Sequence, residues 1–495
     1  MKNINFADIN IYIYIQKNMN FPVSFISRTA ALMGEENCKA LCEAMQNDTP
    51  VSIRINGAKT EQVPDEAKLI PWTTDGYYLS VRPTFTFDPL FHAGSYYVQE
   101  ASSMFLESAL HQYVESPVIA LDLCAAPGGK STLLRSTLPE GSLLIANEVM
   151  RNRSQILAEN IVKWGNPEVI VTNNDPSDFT PLESLFDVIL TDVPCSGEGM
   201  FRKDEVAVEE WSPANVGLCW ERQRRILRDI WPCLKPGGLL IYSTCTFNRE
   251  ENEDNVAWIA SELGAEVLPV ETNEEWNITG NLAGYDFLVY RFLPHRTIGE
   301  GLFMAVLRKN GTPDEDYDTL SDYSSRKSSK KNNKKQDKRQ NTLTVTNEIK
   351  SWICDSEDFE FSIDGTTAVA KSQRLNKLEN LLKDKGNGIR ILHRGITLAE
   401  NKGKDWQPHQ SLAMSTSLNR ESFPQAELSY EQAIAYLRKE AVTLDASVPK
   451  GYVLVTYRDT PLGFVKNIGN RANNLYPQEW RIRSGYMPDE VRTVF

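Results

Sequence analysis

Residues that hold structural metals or form disulfide frameworks are scarce in this sequence. Among its 495 residues there are eight cysteines and five histidines, and no two cysteines have the spacing CxxC. Structural zinc sites use Cys and His ligands at short spacings, and disulfide frameworks occur in small, cysteine-dense secreted chains. We therefore expect no metal, no disulfides and a protein of the reducing cytoplasm.

Long apolar runs and an excess of basic residues are also missing. No stretch reaches the roughly 18–20 apolar residues that cross a membrane. The first apolar segment, INIYIYIQ, lacks the basic start and the cleavage site of a signal peptide. The formal net charge of −13 argues against indiscriminate nucleic-acid binding but allows local basic surfaces. We expect no membrane partner.

The length predicts several domains, because a single hydrophobic core stops growing at roughly 250–300 residues. A content of 41% hydrophobic and 24% charged residues is typical of globular proteins. We divide the chain into a possible non-native extension at 1–18 with Met19 as the natural start, an N-terminal domain at 19–99, a core at 100–310, a disordered charged linker at 311–345, a connecting domain at 346–425 and a β-rich terminal domain at 426–495.

The linker contains a strongly basic tract, SSRKSSKKNNKKQDKRQN, at 324–341. Between Arg326 and Arg339 it carries eight basic residues and one acid, Asp337. Such a tract buries too little apolar surface to fold, and it predicts disorder. Two roles stay open: a solvated spacer, or a tether for nucleic-acid phosphates.

Between about 100 and 308, short runs rich in Val, Ile and Leu alternate with helical patterns. The runs are VIALDLCA, SLLIANEV, EVIVTNND, FDVILTDVP and GGLLIYSTCT. Continuous apolar runs of this length are typical of parallel strands covered on both faces. We therefore predict an α/β fold with a doubly wound, mostly parallel Rossmann-like sheet that binds ligands at its C-terminal strand ends. A later pair, DFLVYRFLP and GLFMAVLRK, predicts an antiparallel hairpin at the sheet edge.

The first of these strands leads into a glycine-rich turn, LDLCAAPGGKST. Gly128 and Gly129 allow a tight turn close to a ligand, and the following helix N-terminus favours anionic groups. The turn also nearly matches a phosphate-binding P-loop, with Lys130 and Ser131 in place but Cys124 at the first glycine. A P-loop NTPase is therefore an alternative.

Acidic residues end the first four strands of this core. Asp122 is followed by Glu148, by Asp175 and by Asp192 at the ends of the next three strands. Glu148 has the position that accepts hydrogen bonds from ribose hydroxyls in dinucleotide folds, and the Asp175 carboxylate suits an adenine amino group. A single such acid would be an ordinary solvated loop residue. Four in register favour adenosine binding over a P-loop.

Two cysteines follow predicted buried strands, Cys195 in TDVPCSGEGM and Cys245 in IYSTCTFNREEN. A thiolate that adds to carbon 6 of cytosine makes carbon 5 nucleophilic toward a sulfonium methyl donor. The adduct then loses the carbon-5 proton and expels the thiol. This chemistry needs one nucleophilic Cys, an acid near N3 and a second assisting group, and Asp192 with the two thiols supplies them. The alternative is two inert buried cysteines, and the spacing does not rank the thiols.

These motifs resemble the S-adenosylmethionine-dependent RNA cytosine-5 methyltransferases of the Nol/Nop/Sun (Fmu) group. The resemblance is carried by LDLCAAPGGKST, ANE, NND, DVPCSGEGMFRKD and YSTCTFNREENE, with VSIRING and HAGSYYVQEASSM before them, over about 50–310. The tail VPKGYVLVTYRDTPLGFVKNIGNRANNLYPQEWRIR is similar to the PUA-like module that ends the bacterial RsmF-like ribosomal RNA subgroup. The resemblance implies a Rossmann-like methyltransferase core between an N-terminal RNA-binding or substrate domain and a PUA-like RNA-binding domain.

The resemblance also implies roles for single residues. In the S-adenosylmethionine site, Glu148 would bind the ribose and Asp175 the adenine, with Arg153 and Asp192 beside the cofactor. The methionine and ribose end would be surrounded by the glycine-rich turn, which consists of Cys124, Ala125, Ala126, Pro127, Gly128, Gly129 and Lys130. Cys245 would be the nucleophile, and Cys195 would assist proton removal and release. Asp192 would lie near cytosine N3, with Lys130 in reach of the reacting centre.

We expect RNA as the partner, with ribosomal (16S) RNA favoured over transfer RNA. The ribosomal RNA would be free or part of a ribosomal subunit or its precursor. We expect the enzyme to be a monomer. Phe201, Arg202 and Lys203 are a candidate lid over the pocket. The candidate RNA surface of the tail comprises Lys466, Arg471, Arg481, Arg483, Tyr476 and Trp480. A DNA cytosine methyltransferase, in which the Pro-Cys thiol attacks, and a non-enzymatic RNA-binding protein are the alternatives.

Overall fold

The computed structural model describes residues 21–312, 320, 343–403, 405–486 and 490–495. The extension at 1–18 and the basic tract at 324–341 lie outside the described residues. The α-helices are α1 (Val23–Met33), α2 (Glu35–Ala44), α3 (Pro89–His92), α4 (Leu106–Tyr113), α5 (Gly129–Thr137), α6 (Arg151–Trp164), α7 (Glu205–Glu210), α8 (Pro213–Ile230), α9 (Glu253–Trp258), α10 (Asn347–Lys350), α11 (Gln373–Lys385), α12 (Gln410–Met414) and α13 (Tyr430–Leu437). Within these ranges no helix has the length and apolar character to cross a membrane.

The strands form one large sheet and three small ones. They are β1 (Val51–Ile55), β2 (Lys68–Leu69), β3 (Gly76–Leu79), β4 (Tyr96–Val98), β5 (Ile119–Asp122), β6 (Leu143–Asn147), β7 (Val169–Thr172), β8 (Phe186–Asp192), β9 (Leu234–Thr244), β10 (Ala265–Leu268), β11 (Tyr290–Phe292), β12 (Leu302–Lys309), β13 (Phe359–Asp364), β14 (Thr367–Ser372), β15 (Ile391–Arg394), β16 (Ile396–Asn401), β17 (Trp406–Pro408), β18 (Gln425–Glu427), β19 (Gly451–Tyr457), β20 (Thr460–Asn467) and β21 (Ala472–Asn474).

The large sheet has the order β10-β12-β9-β8-β5-β6-β7-β15, and β11 pairs with β12. The strands from β5 to β9 pair in parallel, whereas β10, β11, β12 and β15 pair antiparallel to their neighbours. Every residue of β5, β6 and β7 is buried, because helices cover both faces. The predicted doubly wound, mostly parallel sheet is confirmed.

The direction of winding reverses between β5 and β8. The chain runs outward from β5 to β6 and β7, then returns to place β8 on the other side of β5 and continues to β9. Ligands of such sheets bind in the crevice at this reversal, outside the carboxyl ends of the strands. The loops that follow β5, β8 and β9 therefore emerge side by side.

The sheet edges differ from the sequence expectation. β11 and β12 pair antiparallel as predicted, but β12 does not lie at the edge, because the short strand β10 pairs along its other side. At the opposite edge β15, from the segment assigned to a connecting domain, pairs with β7. Helix α11 packs its leucines into the core of the same sheet.

The N-terminal and C-terminal units share a hydrophobic core. The sheet β2-β3-β1-β4 and the sheet β18-β19-β20-β21 are separate, yet Ile53 and Tyr96 of the first pack in one cluster with Val453 and Tyr476. Only 1% of the Tyr476 surface is exposed. The expectation that Tyr476 lies on an RNA surface is therefore wrong, because its ring fills this core.

Candidate active site

The loops at the winding reversal surround a cleft of about 430 Å³. One wall is the loop between β5 and α5, and Asp192 and Cys245 contribute from the ends of β8 and β9. The predicted site residues that line the cleft are Cys124, Ala125, Ala126, Pro127, Gly129, Lys130, Arg153, Asp192 and Cys245. The fold therefore brings residues more than a hundred positions apart into one cleft.

The loop after β5 is held in shape by side chains from outside it. Gly128 has φ +120°, a conformation that a side chain would strain, and it caps α5. The guanidinium of Arg153 donates to the carbonyl of Ala126 at 2.7 Å, and the Asn160 amide donates to the carbonyl of Pro127 at 2.8 Å. These contacts leave the inner surface of the loop free to face a ligand.

Asp122, at the end of β5, has an acceptor atom without a protein partner. Its Oδ2 accepts a hydrogen bond from the Ser131 hydroxyl at 2.6 Å, whereas Oδ1 is buried and unpaired. Burial raises the pKa of Asp122 to about 7, and the Ser131 hydrogen bond acts in the opposite direction. Because Asp122 lines the cleft, a cationic amine bound there would satisfy the unpaired oxygen. The ammonium of an amino-acid cofactor fits this site.

Glu148 and Asp175 lie at the ends of β6 and β7, and neither is among the residues that line the cleft. Glu148 is 3% exposed, accepts a hydrogen bond from the backbone of Met150 at 2.8 Å and lies 3.5 Å from Arg153. Asp175 caps the short 3₁₀ turn Pro176–Phe179 and lies 3.7 Å from Arg225 of α8. The two carboxylates follow the adjacent strands β6 and β7, beside the loop between β5 and α5.

Asp192 connects the two sides of the cleft. Its Oδ2 accepts a hydrogen bond from Lys130 Nζ at 2.8 Å, and its Oδ1 accepts one from the Ser243 hydroxyl at 2.8 Å. Burial opposes the charge of Lys130, but the Asp192 carboxylate outweighs it and raises the Lys130 pKa. Lys130 is thus held as a cation. Ser243, which orients Asp192, carried no distinguishing signal in the sequence.

The two thiols are in contact, with 3.1 Å between Cys195 Sγ and Cys245 Sγ. Cys245 lines the cleft, whereas Cys195 is not among the lining residues, although both side chains are partly exposed. The hydrogen bond to Cys245, followed by burial, raises the pKa of Cys195. Either sulfur can donate this hydrogen bond, and the raised pKa of Cys195 disfavours a thiolate there. This asymmetry, which the sequence spacing left open, favours Cys245 as the group that meets a ligand.

The predicted lid is only partly correct. Lys203 lines the cleft and is paired there with Glu300. Phe201 instead packs against Phe25 and Trp211 in the core of the N-terminal helices, and the Arg202 guanidinium donates to the carbonyl of Asn47 at 2.9 Å. Phe201 and Arg202 anchor the segment, because their side chains point into the N-terminal unit.

The N-terminal unit supplies a wall of the cleft that sequence reasoning did not assign. Tyr97, Gln99, Glu100 and Ser103, from β4 and the turn after it, line the cleft together with the loop between β5 and α5. These four residues lie in HAGSYYVQEASSM, one of the segments that carry the family resemblance. That resemblance was the feature of the sequence that could have identified them. In the described part of the chain, no cluster of three or more His, Cys, Asp or Glu is arranged to hold a metal ion.

Three family models match the chain in order. The model of the N-terminal domain of 16S rRNA methyltransferase RsmF matches residues 21–101, the model of 16S rRNA methyltransferase RsmB/F matches 111–308, and the model of the methyltransferase RsmF PUA domain matches 423–482. The matches agree with the resemblance drawn from the sequence motifs.

The chain is similar to curated proteins along nearly its whole length. It is 31% identical to ribosomal RNA small subunit methyltransferase F of Escherichia coli O157:H7 (strain EC4115 / EHEC), and the match covers 94% of this chain and 97% of the relative. The protein of the same name from Enterobacter sp. (strain 638) is 29% identical, with 94% and 96% covered.

Solved structures share the fold of the core. A methyltransferase homologue from Pyrococcus horikoshii aligns with a TM-score of 0.52 and 29% identity, over 61% of this chain and 99% of that one. NSun6 from Pyrococcus horikoshii, solved with SFG, aligns with a TM-score of 0.51 and 20% identity, over 59% and 99% of the two chains.

Proposed function

The chain belongs to the family of ribosomal RNA small subunit methyltransferase F, and we propose that it methylates carbon 5 of a cytosine in 16S ribosomal RNA. It is accordingly an S-adenosylmethionine-dependent methyltransferase. The three matched units of the chain correspond to the N-terminal, catalytic and PUA domains of that family. We further propose that it acts as a monomer in the cytoplasm.

We propose that the loop from Cys124 to Lys130 holds the methionine and ribose of the cofactor. The unpaired Asp122 Oδ1 supports this, because it would accept a hydrogen bond from the cofactor ammonium. Glu148, oriented through Arg153, would bind the ribose, and Asp175 the adenine. When bound, S-adenosylmethionine supplies an electrophilic methyl group on a sulfonium.

The proposed reaction begins with Cys245, whose thiolate attacks carbon 6 of the cytosine. Asp192 would hold the proton at N3 and Lys130 would keep Asp192 oriented, as their 2.8 Å contact allows. Carbon 5 then takes the methyl group and loses its proton, and the bond between Cys245 Sγ and carbon 6 breaks. Cys195, 3.1 Å from Cys245, would give its proton to the departing Cys245 thiolate and take the carbon-5 proton in its place.

The observation that carries this proposal is that Cys245, Asp192 and Lys130 line the same cleft as the cofactor loop. A binding protein without chemistry would not need a thiol at this position. The P-loop alternative is disfavoured because residues 111–308 match a methyltransferase family and Cys124 stands at the first glycine of the P-loop pattern.

The test combines the substrate with the two thiols. The purified chain is incubated with S-adenosylmethionine and 16S RNA, the small subunit or transfer RNA, and the product is mapped by bisulfite sequencing. We expect one methylated cytosine in 16S RNA, no methylation by Cys245→Ala, and a covalent RNA adduct of Cys195→Ala that survives denaturing electrophoresis. Opposite phenotypes of the two variants would make Cys195 the nucleophile, and methylation of transfer RNA alone would refute the ribosomal substrate.

A further inference from the structure

Two buried glutamates connect the loops that carry the thiols. We define the Cys195 loop as residues 193–200 and the Cys245 loop as residues 245–252. Glu198 lies in the first and Glu251 in the second, with exposed fractions of 2% and 0%. Neither glutamate lines the cleft. Buried carboxylates away from a ligand need a structural reason, because their desolvation is costly unless they are fully hydrogen-bonded.

Glu198 holds the Cys245 loop by its backbone. Its Oε2 accepts hydrogen bonds from the amides of Phe247 at 2.6 Å and Asn248 at 2.9 Å. Its Oε1 accepts one from the indole of Trp211 at 3.0 Å. Every one of these groups is an N–H donor, so the site requires an ionised carboxylate.

Glu251 makes the reciprocal contact to the Cys195 loop. Its Oε2 accepts hydrogen bonds from the backbone amide of Ser196 at 3.0 Å and from the side chain of Gln223 on α8 at 2.7 Å. The Gln223 amide also donates to the carbonyl of Pro194 at 3.0 Å. Each loop therefore carries the acid that binds the other loop beside its cysteine.

Asn248 joins the two acids. Its amide nitrogen donates to Glu251 Oε1 at 2.8 Å and to Glu198 Oε1 at 3.2 Å, and its carbonyl oxygen accepts from the backbone of Glu251 at 2.9 Å. The backbone of Gly199 also donates to the carbonyl of Cys245 at 2.8 Å, and a Cβ on Gly199 would lie only 2.8 Å from that oxygen. The loops are thus in direct contact, and their separation sets the distance between the thiols.

The charge of Glu251 also distinguishes the thiols. The Cys245 hydrogen bond and then burial raise the pKa of Cys195, and the charge of Glu251 adds to this in the same direction. Cys245, by contrast, lines the cleft that also contains the cationic Lys130. The hydrogen bonds of Glu198, Glu251 and Asn248 therefore affect which thiol is ionised as well as the positions of the two thiols.

We propose that Glu198 and Glu251 are positioning residues of the methyl transfer, which fix the two thiols in contact and keep the attacking thiolate on Cys245. This inference rests on the proposed function. On this proposal, contacts behind the cleft, rather than the residues that line it, make one of two adjacent cysteines the nucleophile.

The experiment compares thiol reactivity and kinetics in the full chain with Glu198→Gln and Glu251→Gln. Glu250→Gln is the matched control, because Glu250 is the residue next to Glu251 and, among the residues that the structure describes, forms its ion pair with Arg28 at 2.8 Å rather than with either thiol loop. Iodoacetamide alkylation followed by peptide mass spectrometry gives the ratio of Cys245 to Cys195 modification. Steady-state methylation gives kcat and both KM values.

We expect Cys245 to be alkylated ahead of Cys195 in the wild type and in Glu250→Gln. In Glu251→Gln the ratio should fall about tenfold, the change in thiolate fraction for one pKa unit. In both Gln variants kcat should fall on the order of 100-fold, as for a displacement of about 1 Å at a reacting centre. Both KM values should stay within twofold, because neither acid touches the substrate or cofactor cleft.

Equal alkylation of the two thiols in the wild type, or wild-type kcat and alkylation ratio in both variants, would overturn the inference. Loss of S-adenosylmethionine binding in parallel with kcat would also overturn it, since this would indicate a general structural role. If circular dichroism shows that both Gln variants are unfolded, Asn248→Ser, which removes the side-chain amide with its hydrogen bonds to both glutamates, Ser196 and Thr246, must show the same losses at smaller size. Absence of methylation by the wild type would refute the proposed function, and the alkylation ratio would then decide the inference.

Discussion

At the scale of single residues, the burial of Asp122 couples the cofactor site to pH. Its pKa of about 7 arises from burial, partly offset by Ser131 and Lys130, while the charges of Asp192 and Glu148 raise it further. The folded-state pKa lies above the ordinary value of 3.8. The contribution of Asp122 to stability is therefore present at low pH and is lost as pH rises through about 7.

This shift predicts pH-dependent cofactor binding. An ionised Asp122 should bind the cofactor ammonium, so affinity for S-adenosylmethionine should fall about tenfold for each pH unit below about 7 and level off above it. Isothermal titration calorimetry from pH 5.5 to 8.5 measures this dependence. Asp122→Asn should bind more weakly at high pH and show a flat profile. A flat profile in the wild type would contradict the assignment.

At the scale of elements, an ion pair between α9 and β11 supports the Cys245 loop from behind. Arg291 and Glu253 are both fully buried, and the Arg291 Nε donates to Glu253 Oε1 at 2.7 Å. The same guanidinium donates to the carbonyl of Phe247 at 2.7 Å. The Glu253 carboxylate follows directly after the loop, so the pair fastens the loop to the antiparallel edge of the sheet.

Breaking this pair should destabilise the protein strongly. Arg291→Met leaves the Glu253 carboxylate buried without its cation, and such losses cost about 3–5 kcal/mol. Urea unfolding followed by tryptophan fluorescence measures the change. Arg296→Met is the control, because it makes the same substitution at an exposed arginine. It should change the free energy of unfolding by less than about 0.5 kcal/mol. Equal effects of the two substitutions would show that the buried pair contributes nothing specific.

At the scale of the whole molecule, the cleft depends on the docking of the N-terminal unit, because β4 forms one of its walls. Two basic side chains form hydrogen bonds at the junction between this unit and the core. Lys59 Nζ donates to the carbonyl of Ala93 at 2.8 Å and to that of Lys163 at 2.6 Å. Arg54 of β1 donates to Gln99 at 2.9 Å and to Thr132 of α5 at 2.6 Å. These hydrogen bonds fix the position of α5 relative to the N-terminal wall of the cleft.

Removing Lys59 should weaken this junction. Lys59→Met leaves the carbonyls of Ala93 and Lys163 without their donor, at about 1–3 kcal/mol for each buried group. We expect a total loss of ~2–6 kcal/mol for the two carbonyls and faster hydrogen exchange in β4 and α6, measured by denaturant unfolding and mass spectrometry. Lys68→Met on the exposed strand β2 should leave both unchanged. Unchanged exchange in Lys59→Met would mean that the apolar contacts alone hold the N-terminal unit.

Much of this molecule follows from contiguous stretches of sequence. The buried strands before Cys124, Asp192 and Cys245 were predicted because their runs of Val, Ile and Leu are local signals. The tight turn at Gly128 was predicted because its conformation suits glycine alone. The predictions for Tyr476 and Phe201 were wrong because each side chain points into a core instead of toward RNA or the cleft. An aromatic residue among polar ones gives the same sequence pattern at a surface and at the rim of a core.

The sequence alone was sufficient for the fold class, because the alternation of apolar runs and helical patterns repeats along the core. It was also sufficient for the glycine-rich turn, the strand-end acids and the presence of two thiols, since each of these is encoded within about a dozen neighbouring residues. Only the tertiary structure decided which thiol faces the cleft, which acids hold the two loops together and which unit closes the opposite wall. These features depend on contacts such as Glu198 with Phe247 or Arg54 with Thr132, between residues roughly 50 to 80 positions apart. Burial and hydrogen bonding at such separations exist only once the chain has packed.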